Sequence, residues 1–211
     1  NIGGVLHFTE DRVSSSPLEA RTLGYPIRGQ LQSDQSATQL LISGVTDVDR
    51  LQKQFAFLKN QAAKGGFNYQ AALTLPYAAD QPDVLQITSN LQGVSLDAPE
   101  RLGKTAGEER ALNLRFVLDD SEFVPLHIGY GRDLQAALQI DGKRNGLRSA
   151  HIVYGEGSAE IFDRPGLKLE IRQPQFKLSE ALAAFGTGDA PARLPPLQEL
   201  VLDSGELLWQ G

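Results

Sequence analysis

The chain contains no cysteine and no methionine, and its 211 residues include only three histidines and one tryptophan. The absence of cysteine excludes disulfide bonds, thiolate metal sites and cysteine nucleophiles. His7, His127 and His151 lie in separate strand-like segments, and none has acids or a nucleophile beside it. We therefore expect no metal site and no cofactor.

Long hydrophobic runs are also missing. No window approaches the ~18 consecutive apolar residues of a membrane-spanning helix, and no basic-then-apolar signal segment opens the sequence. Because the chain starts at Asn1 without a methionine, we expect an excerpt of a longer chain or a processed product, with any membrane anchor outside it. The net charge of -6 and the 41% hydrophobic content argue against disorder and against nucleic-acid binding.

Alternation of apolar and polar residues dominates the sequence, as is typical of strands with one buried and one wet face. It is clearest over residues 112–116, 134–140 and 167–172. Rougher versions predict further strands over residues 5–8, 25–32, 39–43, 67–77, 84–96, 123–130, 147–154 and 197–209. The fold class is therefore mainly β, with mostly antiparallel strands.

Glycine-containing turns punctuate these strands. Asp141-Gly142 and Asn145-Gly146 bracket a polar loop between two alternating runs, which predicts a hairpin. The alternation changes phase at Gly93 and again across Gly155 and Gly157. A glycine at such a point predicts a β-bulge that redirects the side chains.

Two helices are predicted. Apolar residues recur at three- and four-residue intervals between Val48 and Ala62, which indicates an amphipathic helix over about residues 47–64, ended by Gly65. A short second helix is predicted over residues 179–185. No internal boundary is evident, so residues 1–211 are treated as one β-rich segment.

Motifs for catalysis are weak. Residues 98–105 match a relaxed phosphate-loop pattern, but Pro99 removes one backbone donor and Glu100 would repel phosphate. An exposed connection between strands is the favoured interpretation. Ser158 lacks the second glycine and the strand-to-helix context of a nucleophile elbow. We expect no enzymatic activity.

Two charged turns remain. The acidic residues Asp119, Asp120 and Glu122 provide too few alternating oxygens for a calcium loop and are interpreted as a solvated turn. Lys143, Arg144 and Arg148 cluster at the predicted hairpin. They are interpreted as a solubilising feature, with contact to an anionic headgroup or partner as the alternative.

The apolar sides of about a dozen strands need cover that two helices provide only in part. Either the sheet closes as a sandwich or barrel, or it curls into a trough covered by a ligand. Lipid suits such a trough, since a sixteen-carbon chain gains on the order of 12 kcal/mol by leaving water. The alternation alone leaves both solutions open.

A resemblance to a known family enters at residues 85–99, which read LQITSNLQGVSLDAP and are followed by Leu102-Gly103-Lys104. This order resembles the strand, S-D-L-x-G turn and L-P-x-P-L-G-K of the YhdP family, large AsmA-like and TamB-related envelope proteins. Shorter matches are G-V-L-H-F at residues 4–8, G-Y-P at 24–26, G-Y-G at 129–131, G-E-G-S-A at 155–159 and P-G-L at 165–167. Asn90, Ala98 and Arg101 depart from the pattern, where the family has aspartate, leucine and the second proline.

The resemblance implies a non-enzymatic segment of a periplasm-spanning bridge that conducts phospholipid from the inner to the outer membrane. The expected fold is an extended, twisted, mostly antiparallel sheet that curls into an apolar, taco-like groove. The expected lipid-binding residues are Leu73, Leu75, Leu85, Ile87, Leu91, Leu112, Leu114, Phe116, Leu134, Leu138, Leu167 and Leu169. The alternative is a closed β-sandwich that serves the envelope as a structural or interaction module, in which the same residues would fill a core.

Expected partners follow from the same resemblance. They are phospholipid, adjoining segments of the same longer chain, and envelope proteins of the inner and outer membranes, with no nucleic acid. The expected location is the periplasm, as part of an inner-membrane-anchored protein.

Overall fold

The computed structural model describes residues 3–10, 12–54, 62–98, 100–142, 146–177 and 195–208. Most of these residues form strands, because alternating apolar and polar side chains suit a sheet with two unlike faces. The strands are β1 (Leu6–Phe8), β2 (Val13–Ser15), β3 (Leu18–Thr22), β4 (Tyr25–Ser33), β5 (Ala37–Asp47), β6 (Ala63–Pro76), β7 (Asp83–Ser89), β8 (Val94–Leu96), β9 (Leu112–Leu118), β10 (Phe123–Tyr130), β11 (Leu134–Asp141), β12 (Gly146–Gly155), β13 (Gly166–Lys177) and β14 (Leu197–Leu208).

One curved sheet contains these strands in the order β1-β2-β4-β5-β6-β7-β9-β10-β11-β12-β13-β14. β3 also pairs with β4, and β8 pairs with the first residues of β6. All pairs are antiparallel except β12 with β13 and β13 with β14, which are parallel. The predicted mainly β, mostly antiparallel fold is confirmed.

The sheet is open. Within the described ranges, extensive contacts join only neighbouring strands, apart from the contacts that α1 (Val48–Gln54) makes with β5 and β6. Among the described strands, no second sheet packs on the first, so the arrangement found is an open sheet and not the closed sandwich that was the alternative. Among the helices described, none is both long and apolar enough to cross a membrane.

The helix predicted over residues 47–64 does not extend to residue 64, because β6 begins at Ala63. Asp47 closes β5, its carboxylate accepts a 2.7 Å hydrogen bond from the Arg50 amide, and α1 follows. Ala63 and Lys64 already belong to β6, because they pair with Leu96 and Ser95 of β8. Residues 55–61, and the second helix predicted over 179–185, lie outside the described residues.

The bulge predicted at Gly93 is confirmed. β7 and β8 both pair antiparallel with β6, with Thr88 opposite Gln70 and Val94 opposite Gly65, so the five residues 89–93 lie opposite the four residues 66–69. Leu91 and Gly93 both have positive φ in this bulge, of 51° and 96°. The phase change at Gly155, in contrast, marks the end of β12 and the start of a crossing segment, not a bulge. The hairpin predicted around Asp141-Gly142 is present as β11 and β12, although its tip at residues 143–145 is not described.

Candidate functional site

One face of the sheet, the apolar face, is built from residues that pair across neighbouring strands. Side chains directly opposite each other in adjacent strands point to the same side, so pairing identifies each face. Leu73 pairs with Leu85, Leu85 with Phe116, and Phe116 with Leu126. This central row runs in register through Leu31, Leu40, Leu73, Leu85, Phe116, Leu126, Leu138, Ala150, Leu167 and Leu197.

A second row lies two residues further along each strand and is also apolar. It runs through Ile42, Ala71, Ile87, Leu114, Ile128, Ala136, Ile152, Leu169 and Leu200. Two rows of aliphatic side chains therefore cross the sheet side by side, at right angles to the strands.

The structure places all the predicted lining residues on this apolar face except Leu91. Leu73, Leu85, Phe116, Leu138 and Leu167 belong to the central row. Ile87, Leu114 and Leu169 belong to the second row, Leu112 and Leu134 lie one step beyond it, and Leu75 lies on the other side of the central row. Pairing thus brings together side chains that are up to 96 residues apart in sequence, from Leu73 to Leu169.

Leu91 follows β7 and lies at one border of the face, in the bulge between β7 and β8. We call residues 91–98 and 100–104 the end lobe; it comprises the turn at Leu91, β8 and a 3-10 turn at Glu100–Leu102. Leu91 is 8% exposed and forms a buried cluster with Val94 and Tyr130. Its assignment to the lipid-binding set stays a prediction, and its neighbours are those of a packing residue.

Sequence reasoning missed several members of the rows. Leu40 and Ile42 of β5, Leu126 and Ile128 of β10, and Ile152 of β12 complete the rows between predicted positions. The signal was present, since residues 123–130 alternate with Val124, Leu126 and Ile128 on one side.

The apolar face is covered at its border and left uncovered in its middle. At the border, the end lobe and Val48 of α1 pack on Phe67, Leu112, Tyr130 and Leu134. A second small cluster joins Leu169 and Ile171 to Ile152 and Tyr154 within the sheet itself. Between them, Leu73, Leu85, Phe116 and Leu138 are neither fully buried nor fully exposed. Leu126, which lies between Phe116 and Leu138 in the central row, is 7% exposed. Within the described part of the chain, no second layer lies over the middle of the rows.

The opposite, polar face carries a buried ionic cluster around Glu170. The Glu170 carboxylate accepts hydrogen bonds from Lys168 Nζ at 2.9 Å, Arg172 Nη2 at 2.5 Å and His151 Nε2 at 3.1 Å. Burial alone would raise the pKa of Glu170, but the hydrogen bonds and charges of Lys168 and Arg172 outweigh it, so this pKa lies below its ordinary value. Glu170 is therefore an ionised structural residue.

Residues 156–165 cross this polar face to connect β12 with the parallel strand β13. The Glu160 amide donates to His151 Nδ1 at 3.0 Å, and Ser149 Oγ donates to the Phe162 carbonyl at 2.6 Å. The other ring nitrogen, Nε2, faces the Glu170 carboxylate. Ser149, His151 and Val153 are almost fully buried beneath this crossing segment.

The segment that matched a relaxed phosphate loop has a different role. Lys104 is 6% exposed, and its ammonium donates to the carbonyl oxygens of Leu91 at 2.9 Å, Thr105 at 3.0 Å and Val94. Burial lowers the pKa of Lys104. The Lys104 ammonium bonds carbonyl oxygens of the end lobe, so it is not placed to bind a phosphate. The described residues 100–105 belong to the connection between β8 and β9, in which Arg101 and Thr105 are exposed and Lys104 is buried.

Metal ligands do not converge in the described ranges, where no group of three or more acidic or histidine side chains could hold an ion. In the acidic turn, Asp119 accepts a hydrogen bond from the Ser121 amide at 3.0 Å. Its hydrogen bonds with Ser121 hold the pKa of Asp119 below its ordinary value. These observations fit a solvated turn.

A family model described as YhdP protein matches residues 1–208. No curated protein and no solved structure matches the chain. Since the family model covers nearly the whole sequence, the chain belongs to the YhdP family.

Proposed function

We propose that this chain is a non-enzymatic, lipid-conducting segment of a periplasm-spanning bridge. In this role the apolar face shields the acyl chains of phospholipids during transport from the inner to the outer membrane. Membership of the YhdP family is consistent with a lipid-transport-related protein of the cell envelope, in a family that is structural and transport-related and not enzymatic.

The observation that supports this proposal most strongly is the continuity of the central row from Leu31 to Leu197. At the usual spacing between strands, this row is about 40 Å long, and the second row runs parallel to it at about 7 Å. Two adjacent aliphatic rows offer an acyl chain contact along its whole length. Each methylene that leaves water contributes about 0.8 kcal/mol, which favours lipid on an otherwise wet apolar face.

The two outer strands support a further part of the proposal, that adjoining segments of a longer chain extend the sheet. β1 and β14 each pair on one side only within the described residues. On β14, Leu197, Leu200 and Leu202 are 55%, 47% and 44% exposed, although they continue the rows of the apolar face. An added strand with the same alternation would cover them and lengthen both rows.

The location and the remaining partners are part of the same proposal. The segment would lie in the periplasm, within a protein anchored in the inner membrane by another part of its chain. Envelope proteins of the inner and outer membranes are then its candidate partners at the two ends of the bridge.

Native mass spectrometry after gentle purification tests the proposal, combined with uptake of a fluorescent phosphatidylethanolamine from vesicles. We expect phospholipid to accompany the wild-type protein. Leu114→Arg places a charge in the second row, so it should abolish co-purified lipid and uptake while the circular dichroism spectrum is retained. Val117→Arg is the matched control, because Val117 lies on the same strand but on the polar face, and it should keep both.

Lipid absent from the wild type by both measurements would overturn the proposal, as would equal lipid in the two arginine variants. If Leu114→Arg unfolds, Leu85→Ser in the central row replaces it, since it introduces a smaller polar group at another uncovered position. Lipid uptake unaffected by Leu85→Ser would then contradict the assigned path.

A further inference from the structure

A cavity of about 1040 Å³ opens on the polar face, on the opposite side of the sheet from the proposed lipid path. It crosses β3, β4, β5, β6, β7 and β9, and its length is therefore at right angles to the strands. Six strands at their usual spacing make it about 24 Å long. This volume and length suit an extended ligand and exceed what a single small molecule needs.

The floor of this cavity is a ladder of uncharged hydrogen-bonding side chains. Ser43 pairs with Gln70, Gln70 with Thr88, and Thr88 with Asn113, so four neighbouring strands each contribute one such group in register. Asn68 of β6 and Asn90, which follows the last residue of β7, also line the cavity. Within the described residues, the side chains of Ser43, Gln70, Thr88 and Asn113 have no hydrogen-bond partner in the protein. Their donors and acceptors are available to a ligand.

Charge is confined to one end of the cavity. Among the described residues that line it, Glu19, Arg21 and Arg28 of β3 and β4 are the charged ones, and Glu19 pairs with Arg28 across the strands. The remaining length, from Ser43 to Asn113, is uncharged in a chain of net charge -6. A polyanion would meet arginine side chains at one end of the cavity and no positive charge along the rest. A neutral polymer is compatible with the uncharged lining over that remaining length.

The distance between successive polar groups of the ladder indicates which class of neutral polymer fits it. Neighbouring strands place successive polar groups about 5 Å apart, which is close to the length of one sugar unit in a β-linked glycan chain. An extended peptide repeats every ~3.3 Å and would fall out of step within two residues. Amide and hydroxyl groups, which donate and accept at once, are also the partners that sugar hydroxyls need.

From this match we propose that the ladder Ser43-Gln70-Thr88-Asn113 binds a linear, neutral, β-linked glycan laid across the strands on the polar face. The site is independent of the proposed lipid path, because it is on the other side of the same strands. Binding rests on several neutral hydrogen bonds without an aromatic stacking platform in the ladder, so each contact is weak and affinity grows with chain length.

Titration of the ¹⁵N-labelled chain with chitopentaose and cellopentaose, followed by NMR, tests this inference. We expect saturable shifts of amide signals in β5, β6, β7 and β9, and weaker binding of the corresponding disaccharides. Thr88→Val removes one hydroxyl while keeping the size and β-branched shape of the side chain, and should weaken pentasaccharide binding about three- to tenfold. Ser43→Ala should have a similar effect at the neighbouring position.

Thr74→Val is the matched control, because Thr74 lies on the same face of β6 but outside the cavity. It should leave the pentasaccharide affinity unchanged. The inference is overturned if neither pentasaccharide binds saturably at millimolar concentration, or if Thr74→Val weakens binding as much as Thr88→Val. Leu114→Arg should bind the glycan as the wild type does, so loss of lipid and loss of glycan report on separate sites.

Discussion

Lys104 Nζ donates a 2.9 Å hydrogen bond to the carbonyl oxygen of Leu91, a residue with positive φ. The same ammonium also bonds the carbonyls of Val94 and Thr105. One buried cation therefore ties both ends of the end lobe together. Since the lobe packs on Leu112 and Leu134, Lys104 fixes the border of the apolar face without touching its rows.

Replacement of this lysine should destabilise the protein. Lys104→Met keeps the aliphatic stem but leaves three carbonyl oxygens without their charged donor, and we expect a loss of about 2–3 kcal/mol in the free energy of unfolding. Urea denaturation followed by circular dichroism measures it. Lys64→Met, at an exposed lysine of β6, should change the value by less than about 0.5 kcal/mol. Equal effects of the two substitutions would show that the buried hydrogen bonds contribute little.

Glu170 should make stability depend on pH in the acid range. Its pKa is lowered in the folded protein, so its contribution is complete above the ordinary glutamate value and disappears as the pH falls through the lower folded-state value. Glu170→Gln removes the charge that Lys168 and Arg172 face, and should cost about 3 kcal/mol near neutral pH.

The measurement is the free energy of unfolding from pH 7 down to pH 3 for the wild type and Glu170→Gln. The difference between the two should shrink as the pH decreases, because the wild-type carboxylate becomes protonated. A difference that stays constant over this range would contradict the assigned ionisation of Glu170.

Truncation of apolar residues should distinguish packed positions from the uncovered rows. Ile171 is 3% exposed within the cluster at β13, so Ile171→Ala should cost about 3 kcal/mol. Leu85, in the uncovered middle of the central row, is only partly buried, and Leu85→Ala should cost about 1 kcal/mol. Thermal or urea unfolding in the absence of lipid compares them. A larger loss for Leu85→Ala would indicate that the central row is a sealed core.

The sequence predicts the strands well where the alternation is regular. Residues 123–130 form β10 as predicted, and 112–116, 134–140 and 167–172 lie inside β9, β11 and β13. The side of each residue follows from the same alternation, which explains why the predicted lining residues in these strands share one face. Local pattern is sufficient here because the period of a strand is fixed by its own backbone.

Other features depend on distant parts of the chain. The helical spacing continues through Ala62, yet Ala63 and Lys64 become strand because β8 pairs with them. Nothing within residues 47–64 shows this partner. The bulge at Gly93 follows from the local change in alternation, but nothing in residues 84–96 shows that β6 is the strand opposite it. Parallel pairing of β12 with β13 was not predicted for the same reason, since alternation carries no information about strand direction.

The crossing segment of residues 156–165 has a consequence for how such a sheet grows. A parallel neighbour requires the chain to return to its starting edge, and this return is fastened to Ser149 and His151 behind the sheet. The apolar face at β12 and β13 is therefore free of this described connection. If further parallel strands were joined by connections of this kind, each new strand would add aliphatic side chains to the apolar face. The connections would lie on the polar face, so the sheet could lengthen without covering the proposed lipid path.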